Sequence, residues 1–402
     1  MITRSEPFPM QYRRFGRTNL SMPVFSCGGM RYQHSWKDVP LADIPAANQA
    51  NLETTIRRAL ELGINHIETA RGYGTSELQL GQVLPTLPRD GLIVQTKVSP
   101  TEDSADFRRT LTQSLDNLKL DTVDLLGIHG INTAELLDWA LRPGGCLEVA
   151  QEFQRQSRVR FIGFSTHAPT EVILRAIESD QFDYVNLHWY YINQDNWPAI
   201  AAAQRHDMGV FIISPSDKGG HLYNPPQTLT DLCAPLSPMV FNNLFCLSCP
   251  QVHTLSIGAA RSTDFDEHLK TLPLLAEADA HLTPVITRLE DQARTVLGET
   301  WLNHWRDGLP TPEDTPGEVN IPLILWLRNL LLAYDMEEFA KARYNLLGNG
   351  GHWFPGQKAE TVQDLNLAEC LRHSPYAQDI PALLADTHQR LTGQAVARLS
   401  NA

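Results

Sequence analysis

The sequence lacks any long apolar run. Its most apolar late stretch, Ile321-Pro322-Leu323-Ile324-Leu325-Trp326-Leu327, is stopped by Arg328 and Asn329. That is far short of the roughly 20 residues that span a bilayer, so no membrane partner is expected. Residues 1–12 contain no apolar segment either, and no signal peptide is expected there. Cysteine is scarce. Cys27, Cys146, Cys233, Cys246, Cys249 and Cys370 are scattered over 402 residues. Such spacing excludes a disulfide framework and fits reduced thiols in a cytoplasmic compartment. Cys246 and Cys249 form a lone C-x-x-C with no second pair, which reads as structural burial, so no metal site is expected. Basic residues are in deficit. Lys and Arg total 33 against 46 Asp and Glu, a net charge of -13, which argues against a nucleic-acid partner or an anionic membrane surface.

What is present is ordinary globular material, with 42% apolar and 20% charged residues, enough for a barrel-sized domain and a smaller one. The chain is organised around Ile64-Asn65-His66-Ile67-Glu68-Thr69-Ala70-Arg71-Gly72-Tyr73-Gly74-Thr75-Ser76-Glu77. This reads as a buried strand, a Gly-rich loop and a helix start, with Glu77 as a favourable charge in the first helical turn. Strand 92–97 ends on Lys97, and the strand beginning at Val123 ends on His129. A titratable residue closing an otherwise apolar strand packs poorly, and three in succession point to one shared site.

Along the chain, residues 1–9 read as a loose lead-in and Gly16-Arg17-Thr18-Asn19 as a turn. Short apolar strands follow at 23–27, 64–68, 92–97, 123–128, 159–164, 182–187, 209–214 and 254–257. Between and after them lie helical patterns at 49–62, 76–84, 104–118, 147–157, 169–179, 197–206, 237–247 and 263–271. Eight strands alternating with helices predict an α/β fold, a (β/α)8 TIM barrel. A doubly wound open sheet is the alternative. The count of eight and the absence of G-x-G-x-x-G after the first strand weigh against it. In a barrel the chemistry sits at strand C-termini, where Glu68, Tyr73, Lys97, His129, Ser165, Asn186 and Ser214 all fall. Beyond about residue 276 only helices are expected, at 280–296, 322–346 and 379–397, broken by Pro-rich and Gly-rich loops. The predicted division is a barrel over 1–275 and an all-helical C-terminal domain over 276–402.

A phenol with a pKa of about 10 becomes a usable acid beside an ammonium, and a carboxylate fixes that ammonium in place. An imidazole beside the phenol orients a carbonyl oxygen or shares the proton. Tyr73, Lys97, Glu68 and His129 therefore make a proton-donating set for carbonyl reduction. The hydride has to come from a cofactor, since no side chain delivers one. Singly, each residue has an ordinary reading: a packing tyrosine, a solvated lysine, a loop-capping histidine, a loop-anchoring acid. A non-redox isomerase or lyase using Lys97 and Glu68 is a weaker alternative.

Gly16-Arg17-Thr18, the block His66 to Glu77, Lys97, Asp124-Leu125-Leu126 with His129, and Gly163-Phe164-Ser165 together resemble the aldo-keto reductase family. The resemblance covers about residues 10–275. It implies a barrel binding NADPH across the strand C-termini, Tyr73 as general acid for a small carbonyl substrate, and Lys97, His129 and Glu68 around it. It also implies that Gly29 and Met30 face the cofactor, with Ser165 and Asn186 near its nicotinamide amide. Ser214 to Lys218 would follow the pyrophosphate, and Ser256, Gly258 and Arg261 the adenosine phosphate. Lys218 and Arg261 favour NADPH over NADH, because a 2′-phosphate suits a fork of donors.

The family pattern has Asp where Glu68 stands, Asn where Thr166 stands, and an Asn near the place of His268. Glu68, together with degraded cluster motifs in the tail, motivates a second reading, a catalytically weak NADPH-binding scaffold or sensor with the helical tail as interaction surface. His188-Trp189-Tyr190-Tyr191 are candidates to line a pocket for an apolar carbonyl compound, or to pack the barrel mouth. The C-terminal part resembles the helical extension of a bacterial branch of the same family, one that often carries C-x2-C-x2-C-x3-C-P motifs for [4Fe–4S] clusters. Here Trp305, Gly308, Thr311 and Thr315, then Asp364, Leu367, Cys370 and Ser374, occupy those spacings. One cysteine cannot hold a cluster, so a helical remnant without iron–sulfur is expected.

Overall fold

The structure, a computed structural model, describes residues 8–217 and 221–393. An antiparallel hairpin of β1 (Tyr12–Arg14) and β2 (Ser21–Pro23) precedes eight barrel strands. These are β3 (Phe25–Gly28), β4 (His66–Glu68), β5 (Ile93–Val98), β6 (Val123–His129), β7 (Val159–Ser165), β8 (Tyr184–Leu187), β9 (Gly209–Ile212) and β10 (Thr254–Ile257). All barrel neighbours pair in parallel, and β10 returns to β3, so the sheet closes in the order β10-β3-β4-β5-β6-β7-β8-β9. The open-sheet alternative is thereby excluded.

Side chains alternate across each strand. Outward residues such as Ile67, Val94, Leu126 and Phe164 join the main apolar cluster with the surrounding helices. Each fully buried aliphatic side chain there contributes about 1.5–3 kcal/mol. Inward residues build a second, smaller cluster of Phe15, Met22, Ile93, Leu125, Tyr184 and Phe211. Phe15 comes from the hairpin and plugs the end of the barrel where the strands begin, its ring 5.7 Å from those of Tyr184 and His253. The turn Gly16–Thr18 lets it do so. Gly16 has φ +51, and a Cβ there would lie 2.4 Å from Gly209 N. Arg13 anchors the same hairpin by donating to the carbonyls of Leu247 and Cys249 at 2.6 and 3.1 Å.

Several elements differ from the sequence reading. The hairpin strands are three residues each and mostly polar, too short to leave a period-two signal. The loop after β6 contains a helix, Ala134–Leu141, whose N-cap Thr133 accepts from Leu136 N. The Pro-rich loop after β9 contains another, Gln227–Cys233. The stretch read as one helix over 322–346 is two, Ile321–Tyr334 and Glu337–Tyr344. Asp335, at φ 58, breaks it in a left-handed C-cap.

The chain divides into two compact units, one of residues 8–217 and 242–278, the other of 221–241 and 279–393. The second therefore takes in residues 221–241 as well as the predicted tail. Arg288 on helix Ala278–Leu297 secures that segment by donating to Leu232 O at 2.9 Å. Helix Ile321–Tyr334 packs against Glu337–Tyr344 and Ile380–Leu391. The two cysteine-poor motif stretches lie against each other. A Cβ on Gly308 would sit 2.2 Å from His373 O. Thr315 donates to Thr311 O at 2.7 Å, closing the first stretch with hydroxyl chemistry. Among the described residues, no group of three His, Cys, Asp or Glu side chains is arranged to hold a metal, and no helix is long and apolar enough to cross a membrane.

Candidate active site

Glu68 ends β4 and Lys97 is the penultimate residue of β5. Both are buried, at 3% and 1% exposure. The Lys97 ammonium donates to Glu68 Oε1, and also to Thr69 O at 2.8 Å. Burial pushes the Lys97 ammonium well below its usual range, and the contacting carboxylate pulls the other way. The Tyr73 hydroxyl donates to Glu68 Oε1 at 3.5 Å, and Lys97 Nζ lies 4.9 Å from the centre of the Tyr73 ring. The His129 ring stands edge-on to Tyr73 at 5.7 Å, and Trp36 does so from another side at 6.4 Å. The four residues nominated for catalysis are thus gathered at one end of the barrel.

The Gly-rich loop that carries Tyr73 is tied down on both flanks. Ser76 Oγ donates to Gly29 O at 2.9 Å, and Gly29 N–H donates to Glu68 O at 2.7 Å. Thr75 Oγ1 accepts the backbone N–H groups of His34 and Ser35, both at 3.1 Å. Arg71 and Asp38 form a bidentate ion pair. Glu77 stands in the first turn of helix Ser76–Leu80, as the sequence reading placed it. It is fully buried and accepts from Thr96 Oγ1 at 2.6 Å and from Ser114 Oγ. Burial raises its carboxyl to about 7.

The remaining nominated residues fall into three groups. Ser165 and Asn186 lie opposite each other on β7 and β8, both inward and nearly or fully buried. Ser165 Oγ accepts Gly130 N–H at 3.1 Å. Both side-chain polar atoms of Asn186 are buried without a hydrogen-bond partner in the protein. Such a primary amide costs free energy unless something pairs with it. Gly29, Met30, Ser256 and Gly258 lie at or just past the ends of β3 and β10. Ser214, at φ 57, opens the loop after β9, and Lys218 lies outside the described residues. Arg261 is 63% exposed and pairs with Asp264 at 3.2 Å.

Sequence reasoning missed several residues. Arg31 is only 6% exposed, donates to Gly258 O at 2.5 Å and lies 3.8 Å from Asp264. It is a buried cation beside the segment expected to meet a phosphate, and its place in a Gly-Gly-Met-Arg loop was the available signal. Asp217 is buried, and burial raises its carboxyl to about 7. His268 is fully buried against Phe25 and bonded to Asn243 at 2.9 Å, and burial lowers its pKa to about 3. Trp189 turns away from the barrel mouth, stacking on Phe245 at 4.9 Å.

Residues 26–221 match the sequence model of the Aldo/keto reductase family. This segment of the barrel is an aldo/keto reductase domain. Among curated proteins, it is similar to L-galactose dehydrogenase of Arabidopsis thaliana, 28% identical over 52% of this chain and 65% of that protein. It is also similar to 6-dehydroglucose reductase of Novosphingobium aromaticivorans, 26% identical over 41% and 55% respectively. The chain thus spans less than two thirds of the length of these two relatives. Among solved structures, the holo aldo-keto reductase of Bacillus halodurans superposes with a TM-score of 0.57 at 20% identity, over 69% of this chain and 96% of that one. An aldo-keto reductase of Klebsiella pneumoniae in complex with NADPH gives 0.53 at 17%, over 68% and 95%. At such identities these likenesses speak for the fold, here the aldo/keto reductase barrel.

Proposed function

We propose that the protein reduces an aldehyde or ketone to an alcohol with NADPH, using Tyr73 as proton donor. The observation that carries this reading is the buried Lys97–Glu68 pair set against Tyr73, with His129 on the phenol's edge. The residues present fit the cofactor, because the Asn186 amide is buried and unpaired beside Ser165, where a carboxamide would complete it. NADPH supplies the hydride when bound. Ser165 and Asn186 would hold its amide. Gly29, Met30, Ser214, Lys218, Ser256, Gly258 and Arg261 would line the rest of its path, with Arg31 behind Gly258. Tyr73 gives its proton to the carbonyl oxygen as the carbonyl carbon gains the hydride, and His129 orients that oxygen. Lys97 stabilises the phenolate left behind, and Glu68 keeps Lys97 in place.

The similar proteins include an L-galactose dehydrogenase and a 6-dehydroglucose reductase. They support a small polar carbonyl substrate. The test is steady-state NADPH oxidation over a panel of aldehydes and ketones. Tyr73→Phe should lose turnover by at least about a hundredfold, the usual scale of general acid catalysis, while keeping NADPH affinity. Full activity in that variant would remove Tyr73 from the reaction.

One observation favours the second reading, a weakly catalytic NADPH sensor. Glu68 Oε1 meets both Lys97 and the Tyr73 hydroxyl, and a carboxylate against a phenol opposes its ionisation. That reading predicts saturable NADPH binding and no turnover anywhere on the panel.

A further inference from the structure

Trp36 stands beside Tyr73 on the loop that follows β3, its ring edge-on at 6.4 Å and the residue 48% exposed. On the N-terminal side of Trp36, this loop is tied firmly to the loop that bears Tyr73. Thr75 N–H donates to Ser35 O at 2.9 Å, and His34 N–H is shared between Thr75 Oγ1 and Gln79 Oε1, at 3.1 and 2.9 Å. Gly74, at φ +54, permits the approach, since a Cβ there would lie 2.7 Å from Trp36 Cα.

Beyond Trp36 the attachment thins out. None of residues 37–43 is buried. Their backbone bonds are local, Lys37 N–H to Ser35 Oγ at 3.0 Å and Asp43 N–H to Pro40 O at 2.9 Å. A segment with so little buried surface opens at low cost unless a specific contact closes it. That contact is Asp38, whose two carboxylate oxygens accept from Arg71 Nη1 at 2.9 Å and from Arg71 Nη2. Such a bidentate pair fixes direction as well as distance. Arg71 is a firm anchor for it. Its side chain is 16% exposed, against 63% for Asp38, and its N–H donates to Lys97 O at 2.9 Å.

We propose that Arg71 is a positioning residue for the reduction: its ion pair with Asp38 holds Trp36 against the Tyr73 ring and sets the opening through which the carbonyl reaches the phenol. Arg71 thereby joins three parts of the site. It meets Lys97 through its backbone, Tyr73 through the chain two residues on, and Trp36 through Asp38. The inference rests on the reductase reading.

The test measures kcat/KM for benzaldehyde and propanal at saturating NADPH in wild type, Asp38→Ala, Asp38→Glu, Trp36→Ala and the double variant Trp36→Ala with Asp38→Ala. Asp38 is exposed, so its replacements should fold with unchanged Tm and NADPH affinity. Asp38→Ala should lower kcat/KM by about two- to fivefold, the most that a part-exposed ion pair shifts an equilibrium. Asp38→Glu, which keeps the carboxylate, should retain most of the wild-type value. In the Trp36→Ala background, Asp38→Ala should change nothing, because the ion pair acts through the indole. A wild-type kcat/KM in Asp38→Ala, or an equal loss with and without Trp36, overturns the inference and leaves the reductase reading standing. No reduction of either aldehyde by wild type, with NADPH bound, overturns both.

Discussion

Gly127 of β6 sits beside Lys97 in the β5–β6 register, and a single methyl group there should disable the site without unfolding the barrel. A Cβ on Gly127 would lie 2.8 Å from Lys97 Cγ and 3.4 Å from Cδ. Real Cβ contacts to carbon lie nearer 3.5–4 Å, so the lysine stem has to give way by roughly 1 Å. It has little room to do so. Lys97 is 1% exposed, and its ammonium is fixed between Glu68 and Thr69 O. Overpacking of this kind costs about 1–3 kcal/mol, and a 1 Å displacement at a catalytic constellation costs about a hundredfold in rate. Gly127→Ala should therefore lower Tm by several degrees and kcat by one to two orders of magnitude, roughly. NADPH affinity should be unchanged, since Ser165 and Asn186 are on other strands. Thermal unfolding, NADPH titration and NADPH oxidation with the best available carbonyl substrate measure the three effects. A Gly127→Ala protein with wild-type kcat would refute the claim that the position of Lys97 limits the reaction.

Three further outcomes follow from the same geometry. Lys97→Met leaves Glu68 buried without its cation and should cost about 3–5 kcal/mol in chemical denaturation. Adding Glu68→Leu should recover much of that stability but none of the activity, and simple additivity of the two losses would show that the pair is not coupled. Glu77 bears on pH. Its folded pKa of about 7 lies above its ordinary 4.5, so the folded state holds a proton that the unfolded state has released. Its contribution is then full below pH 4.5 and falls away as pH rises to about 7, by roughly 3 kcal/mol. Glu77→Gln should flatten the stability profile across that window, and an unchanged profile would mean that Glu77 is ionised in the fold. Finally, Asp335→Pro should disrupt the left-handed C-cap between helices Ile321–Tyr334 and Glu337–Tyr344, because proline cannot take positive φ. Loss of at least about 1 kcal/mol is expected, and an unchanged melting curve would contradict the assigned break.

The barrel was legible because each of its strands is a short apolar run between turn residues, a pattern that survives without knowledge of register. The hairpin was not. Its strands, Tyr12–Arg14 and Ser21–Pro23, are held by Phe15 in the barrel interior and by Arg13 on distant carbonyls, contacts that no local periodicity reports. The helix break at Asp335 was hidden because the apolar pattern runs on through it. At the site, Glu68, Lys97 and His129 stood out as titratable residues closing apolar strands, and Tyr73 through its loop. Arg71 and Asp38 were invisible as a pair, since their meeting depends on how the loop after one strand folds over the loop after the next. The burial of Glu77 and His268 was hidden for a related reason. Each is a polar residue that the fold buries with dedicated partners, Thr96 and Ser114 for one and Asn243 for the other.

The most direct test of the reductase account is a titration of the purified protein with NADPH, and separately with NADH, followed by tryptophan fluorescence, repeated on Asn186→Leu. The account predicts saturable NADPH binding, weaker NADH binding, and a loss of NADPH affinity of about tenfold in Asn186→Leu, where the amide partner is gone. Failure of wild type to bind either nucleotide would remove the hydride source and contradict the account outright.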